Sequence, residues 1–148
     1  MRKNKTYAKI YFHNVFGLLF SCNKIENNKS LNQEDIKYIQ NLNILDQNEV
    51  IIKFYSEFKK EFAGNFFTNK RVATYWIDKR NSEKNIIDFA FYPSISKIDT
   101  VYNAGVTYCP YALITKKDGS SFKISVEGDK QEIKSFFEDL LREWHKRR

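Results

Sequence analysis

The chain of 148 residues has only two histidines, two cysteines and two prolines. His13 and His145 lie near the two termini, so neither is expected to be held rigidly as a general base or a metal ligand. The sequence has no Cys/His spacing of the zinc type, no Gly-rich phosphate loop and no G-x-S-x-G motif. Asp78, Asp88 and Asp99 lie near predicted strand ends, where a solvated edge residue is commoner than a paired catalytic carboxylate. We therefore predict no catalytic residue, no metal and no cofactor.

The amino-terminal region has bases but no acids. Residues 1–21 begin with Arg2 and Lys3 and continue into an apolar run too short to be a permanent membrane span, which ends at Cys22. This layout resembles a bacterial lipoprotein signal, in which processing leaves a lipid-bearing cysteine as the first residue. It predicts that residues 1–21 are a signal peptide and that lipid on Cys22 anchors the protein to a membrane at the cell envelope, facing the periplasm or the cell surface.

An alternative hypothesis keeps these residues in the folded protein. Residues 10–20 then form a buried strand of a soluble cytoplasmic domain. The polar residues 23–29 favour the lipoprotein interpretation, because they offer little apolar surface and suit a tether. We assign residues 22–43 to a polar tether and a short helix, and residues 44–148 to one domain.

The net charge of +7 comes from the two ends of the chain. Between Cys22 and Leu141 bases and acids are equal in number. Nucleic-acid binding is disfavoured, because such proteins usually carry a basic stripe on the folded domain itself. The basic residues 145–148 can contact anionic lipid head groups, but a terminal run of charge is more often simply solvated. Cys109, next to Pro110, is interpreted as a small buried apolar residue rather than a nucleophile.

Helices are predicted at both ends of the domain. Ser30 and Gln33 form a capping-box pattern that predicts a short helix ending near Leu42. A second helix is predicted after Asp129, with Glu132 three residues on. Apolar residues of the second helix recur at helical spacing and predict a stripe that covers the sheet. They are Ile133, Phe136, Phe137, Leu140, Leu141 and Trp144.

Short β-strands separated by turn residues are predicted between the helices. Alternation in the fourth strand places Ile87, Phe89 and Phe91 on one side, and Pro93 ends that strand. Asp118-Gly119 suits the tight turn of a hairpin. The strands predicted from these patterns are residues 50–56, 65–68, 71–78, 86–92, 111–115 and 122–126.

Several motifs occur in the order found in one fold family. Residues 64–73, GNFFTNKRVA, are similar to the second and third strands of bacterial PH-like and GRAM-like domains. Ile95 and Ile98 match the short Ile-x-x-Ile that follows their next strand, and residues 117–122 and 133–144 resemble their penultimate hairpin and closing helix. This resemblance implies an α+β, mainly β fold. We expect a partly open antiparallel barrel of about seven strands, capped by the carboxy-terminal helix and preceded by the short amino-terminal one.

The resemblance leaves the ligand open, since relatives bind lipid head groups, peptides or proteins. Phosphoinositide-binding members use basic residues in the first loop, where this chain has Lys59 and Lys60 between Glu57 and Glu61. Lys70-Arg71 is interpreted as a feature of a turn and sheet edge rather than as a phosphate clamp. Tyrosines around residues 103–105 are a second candidate surface, although in aromatic-rich sheets such residues are more often half-buried in the barrel. The candidate surface residues are Tyr92, Tyr102, Tyr108, Tyr111, Lys59 and Lys60.

These observations predict a membrane-anchored, non-catalytic PH-like module that recognises a protein or ligand partner at the cell envelope. The alternative is a soluble cytoplasmic PH-like or immunity-type protein that binds and neutralises a partner protein.

Overall fold

The computed structural model describes residues 25–103, 105 and 109–148. The predicted signal peptide, Cys22 and Tyr108 lie outside the described residues. The elements in chain order are helix α1 (Gln33–Asn41), strands β1 (Ile51–Tyr55), β2 (Ala63–Thr68), β3 (Arg71–Trp76), β4 (Ile86–Phe91), β5 (Ile95–Val101), β6 (Tyr111–Lys116) and β7 (Ser121–Ser125), and helix α2 (Lys130–Arg147).

The seven strands form two antiparallel sheets. The first sheet has the order β1-β2-β3-β4 and the second has the order β5-β6-β7. The two sheets are joined on the inside by Asn65, whose side-chain oxygen accepts hydrogen bonds from the Thr74 hydroxyl at 2.9 Å and the Ser125 backbone N–H at 3.3 Å. The mainly β architecture with two helices is confirmed, and the sheets remain separate rather than closing into one barrel.

Helix α2 covers the space between the sheets. Asp129 accepts from the backbone N–H groups of Gln131 and Glu132, and the Glu132 carboxylate accepts from the Asp129 N–H, which confirms the predicted capping box. The apolar stripe is also confirmed, since Ile133, Phe136, Phe137, Leu140 and Trp144 are buried. These side chains pack with the inner residues of both sheets in one core cluster.

Helix α1 begins two residues later than the sequence predicts. Its N-cap is Asn32, whose side chain accepts from the Asp35 N–H at 2.7 Å. The Ser30 hydroxyl instead accepts from the Asn27 N–H at 2.9 Å, inside the turn that precedes the helix. The capping box predicted at Ser30 is therefore wrong, because a local turn uses its hydroxyl first.

The segment before α1 is part of the fold rather than a loose tether. The backbones of Glu26 and Phe54 exchange two hydrogen bonds of 2.8 Å, and the Asn28 N–H donates to the Ile51 carbonyl at 3.0 Å. These bonds cover the edge of β1, so backbone pairing orders a segment whose side chains are mostly polar. Leu31 and Ile39 then pack on the outer face of the first sheet, in a second core cluster.

A buried ion pair connects the residues before β1 to the start of β3. Glu49 and Arg71 are 5% and 2% exposed, respectively. Arg71 donates from Nε to Glu49 Oε1 at 2.9 Å and from Nη2 to Oε2 at 2.8 Å. The Thr68 hydroxyl donates to the same carboxylate at 2.5 Å. Arg71 follows the β2–β3 turn, and its guanidinium also satisfies a buried carboxylate, which the sequence does not indicate.

We expect Arg71→Met to lower the free energy of unfolding by about 3 to 5 kcal/mol, because it leaves the Glu49 charge buried without its partner. The double variant Glu49→Met/Arg71→Met should recover most of this loss, since no uncompensated charge remains. Urea denaturation measures both. Lys134→Ala, which removes an exposed pair with Glu138, is the control and should change stability by no more than about 0.5 kcal/mol. An Arg71→Met protein as stable as the wild type would contradict the role given to this pair.

Candidate binding surfaces

The tyrosines predicted to form a surface occupy different environments. Tyr92 is 0% exposed and its hydroxyl donates to the Thr68 carbonyl at 2.6 Å, so its place on a binding surface is corrected to one in the core. Tyr102 is exposed at the end of β5, and its ring packs edge-on against Phe137. Tyr111 is half-buried under the Lys123 ammonium, which lies 4.4 Å from its ring centre. Of the described tyrosines of this group, only Tyr102 is exposed.

The two lysines of the first loop, between β1 and β2, also differ. Lys60 Nζ lies 2.9 Å from a carboxylate oxygen of Glu26 and 2.9 Å from one of Asp35. Burial lowers the pKa of Lys60, but its hydrogen bonds to these two carboxylates outweigh burial, so the pKa is raised. Lys60 therefore holds the amino-terminal segment to the first loop. Lys59 is exposed. It would be the one lysine of this loop left to bind a phosphate group, because Lys60 is already paired with two carboxylates.

A shallow apolar groove lies between the first loop and the loop that joins β3 to β4. It encloses about 440 Å³ and is lined by Phe58, Phe62, Trp76 and Ile77 together with Asp78, Lys79 and Arg80. Phe58 and Phe62 contact each other with ring centres 5.6 Å apart. Trp76 is paired with Ile86 at the end of the β3–β4 ladder, which places both next to the groove.

The local sequence explains why this end of the sheet is apolar. The Ser56 hydroxyl donates to the Ala63 carbonyl at 2.8 Å and closes the first loop, which leaves Phe58 projecting with 63% of its surface exposed. Trp76 is the last residue of β3 and Ile86 the first residue of β4, and both are exposed at this end of the sheet. We call Phe58, Phe62, Trp76, Ile77 and Ile86 the loop-end surface.

A second apolar surface lies along β4, which is an edge strand of the first sheet. Ile87, Phe89 and Phe91 share its outer face, as the alternation predicts, and we call them the β4 strip. The Arg71 guanidinium lies 5.1 Å from the Phe89 ring centre and 4.4 Å from that of Phe91. Ile87 and Phe91 remain exposed, whereas Phe89 is half-buried against the outer core cluster. The buried ion pair thus supports this strip from beneath.

A charged contact lies in the middle of the same strand. The Asp88 carboxylate accepts from the Phe89 backbone N–H at 2.8 Å and from Lys116 Nζ at 2.6 Å. Charged side chains on an edge strand discourage unspecific strand pairing. A partner of β4 would therefore contact the strip's side chains more readily than the strand backbone.

Cys109 is held as a neutral thiol. Its Sγ donates to Glu127 Oε1 at 2.6 Å. The hydrogen bond to Glu127 and partial burial both favour the thiol over the thiolate, and they raise the pKa of Cys109 to about 11. Such a thiol is a poor nucleophile at neutral pH.

Sequence reasoning missed the loop-end surface and the Glu49–Arg71 pair. Alternation aligns Trp76 with Val72, which is buried, and gives no sign that the core ends before Trp76. Nothing in the local pattern around Glu49 indicates a buried charge. Both features depend on where the core ends and on which distant residues pack together. The spacing of residues along the chain does not encode either.

The described residues hold neither a metal-binding cluster nor a membrane-spanning helix. Within residues 25–103, 105 and 109–148, no group of three or more His, Cys, Asp or Glu side chains is arranged to hold a metal ion. No helix in the same part of the chain combines the length and the apolar character that a membrane span requires.

Comparison with known proteins identifies the fold. No family model matches the chain, and no curated protein matches it. A similar solved structure is that of a DUF1696 family protein with a pleckstrin-homology domain from Shewanella loihica PV-4, with a TM-score of 0.50 and 14% sequence identity. The similarity covers 78% of this chain and 96% of that chain. At this identity it shows the fold alone, which is PH-like.

We expect Cys109 to react with iodoacetamide at pH 8 about 100-fold more slowly than an unperturbed thiol, because less of it is thiolate. Its rate should keep rising to about pH 11. Glu127→Gln removes the charged acceptor and should raise the rate at pH 8, which separates the pKa from restricted access. Peptide-resolved mass spectrometry follows Cys109 alone. A wild-type rate that levels off near the ordinary thiol pKa of 9.0 would contradict the Glu127 bond.

Proposed function

We propose that this PH-like chain is a non-catalytic binding module that recognises a protein partner at the cell envelope and is anchored there by lipid on Cys22. The observation that carries partner recognition is the β4 strip. The PH-like fold supports a binding role as a framework on which relatives present different surfaces.

The strip has the properties of a protein-binding surface. Two of its three side chains, Ile87 and Phe91, are 43% and 42% exposed, and the half-buried Phe89 lies between them on the same face of the strand. Exposed apolar side chains concentrated in one place are characteristic of interaction sites, whereas scattered ones are not. The Arg71 guanidinium under Phe91 adds a rigid support, so little conformational entropy is lost when a partner covers the ring.

The position of Cys22 supports the anchor. Cys22 is three residues before Ile25, where the described structure begins, so its Cα atom would lie within about 11 Å of that of Ile25. Such a short connection leaves the domain close to the membrane. A partner reached through the β4 strip is therefore expected to be membrane-associated as well.

Partner recognition is tested with a photo-crosslinking amino acid at Ile87, in cells that express the full chain. We expect a crosslinked adduct at position 87 and none at position 138 on the exposed side of α2, which is the matched control. Phe91→Asp should lower the yield at position 87 by at least about tenfold, since exposed aromatic anchors commonly carry most of the binding energy. Equal adducts at both positions, or none at position 87, would overturn the proposed surface.

The anchor is tested by Cys22→Ala. We expect this variant to lose metabolic labelling with fatty acid and to leave the detergent phase, because the acylated thiol is gone. Cys109→Ala is the control and should retain both. A protein that keeps Met1 and is unaffected by Cys22→Ala would support the soluble immunity-type alternative and contradict the anchor.

A further inference from the structure

We infer that the loop-end surface contacts the interfacial region of the bilayer that carries the lipid on Cys22, and so fixes the orientation of the domain. This inference rests on the proposed anchor and concerns a surface separate from the β4 strip. Its occupant is the lipid–water interface, contacted through apolar side chains.

The path of the chain brings the anchor to this end of the molecule. Glu26 pairs with Phe54 and Asn28 bonds to Ile51, so the segment runs antiparallel to β1. Followed towards the amino terminus, the chain therefore heads in the direction in which β1 runs, towards Ser56 and the first loop. The hydrogen bond of 2.9 Å between Lys60 and Glu26 fixes the start of the segment to that loop.

Cys22 is four residues before Glu26, a reach of at most about 14 Å. Lipid on Cys22 would therefore enter the bilayer beside the first loop. The opposite end of β1, at Val50, would face away from the membrane.

The side chains that meet the bilayer in this orientation suit its interface. Phe58, Ile86 and Trp76 are 63%, 59% and 42% exposed. Aromatic rings, and tryptophan above all, are favoured at the boundary between head groups and hydrocarbon because they combine apolar area with a polar handle. The groove between Phe58 and Trp76 leaves room for part of an acyl chain or head group.

The charges of the two loops at this end nearly cancel, with four acids, Glu57, Glu61, Asp78 and Glu83, against five bases, Lys59, Lys60, Lys79, Arg80 and Lys84. Lys79 Nζ lies 3.2 Å from the Glu61 carboxylate and 4.5 Å from the Phe62 ring centre. Lys60 is bound to two carboxylates, and Arg80 lies 3.8 Å from Asp78. Contact with the membrane is therefore expected on zwitterionic lipid and to depend weakly on salt, unlike recognition of an anionic head group.

Trp76 provides a probe already present in the chain. The other tryptophan, Trp144, lies on the buried face of α2, in the core between the helix and the sheets. We would purify the full acylated protein from membranes and reconstitute it in phosphatidylcholine vesicles that contain a doxyl-labelled phosphatidylcholine quencher. Mass spectrometry of the same sample records whether Cys22 carries lipid. The Trp76→Phe variant gives the emission of Trp144 alone.

We expect the quencher to remove about half of the Trp76 emission, as for a ring at the interface, and to leave that of Trp144 unchanged. Phe58→Asp should abolish the quenching, because a charged side chain at the centre of the surface resists transfer from water. Val50→Asp is the matched control, since it places the same charge on an exposed apolar residue at the opposite end of β1. Circular dichroism confirms that each variant is folded.

The outcomes separate this inference from the function on which it rests. An acylated protein whose Trp76 is not quenched, or in which Val50→Asp acts like Phe58→Asp, overturns the inference and leaves the anchor intact. A Cys22 without lipid overturns the anchor, and the orientation argued from it as well. Quenching that requires anionic lipid and disappears in salt would also overturn the inference, because head-group charge would then hold the domain in place.

Discussion

The structure depends on a charge pair that is almost completely buried. Glu49 and Arg71 meet through two hydrogen bonds, with Thr68 completing the carboxylate's partners. The Glu49 charge is tolerable inside the protein only beside Arg71, which also contacts the exposed Asp46 at 2.8 Å, so the residues before β1 must approach the β2–β3 turn in one way. The same guanidinium lies under the aromatic rings of β4. One interaction therefore fixes the path of the chain, the start of the sheet and the support of the β4 strip.

The first sheet is shared between two cores. Its inner face packs against α2 and the second sheet, and its outer face is covered by α1 and the segment that leads into it. Gly64 shows how closely this outer layer is packed, since a Cβ at that position would lie 2.4 Å from the Tyr75 ring and 2.7 Å from that of Phe54. An antiparallel sheet commonly has one face in water, but here most of both faces is covered. The exposed remainder at β4 and at the loop end is accordingly the part available to other molecules.

Elements governed by local chemistry could be predicted from the sequence, and those governed by distant contacts could not. Helix α2 follows from Asp129, Glu132 and the spacing of its apolar residues, because capping and periodicity act within a few turns. Ser30 and Asn32 are both good N-cap residues, so the sequence does not decide which of them caps α1. The turn that Ser30 forms with Asn27 decides it. The sequence predicts Tyr92 on the surface, whereas it is buried. Its hydroxyl donates to the distant Thr68 carbonyl, and the residues around Tyr92 in the sequence do not indicate this contact. For the same reason, one of the two candidate surfaces is predictable and the other is not. Alternation aligns Ile87, Phe89 and Phe91 in the β4 strip, whereas the exposure of Trp76 in the loop-end surface depends on where the core ends.

The contact between Asp88 and Lys116 has a consequence for the behaviour of many copies together. A six-residue edge strand rich in Ile and Phe is the kind of segment on which chains stack into fibrils. An incoming strand would have to displace a carboxylate from the Phe89 N–H and separate it from an ammonium group before any ladder formed. The protein can therefore expose the apolar side chains of β4 even where many copies are crowded together, because the β4 backbone resists pairing with the strand of another copy.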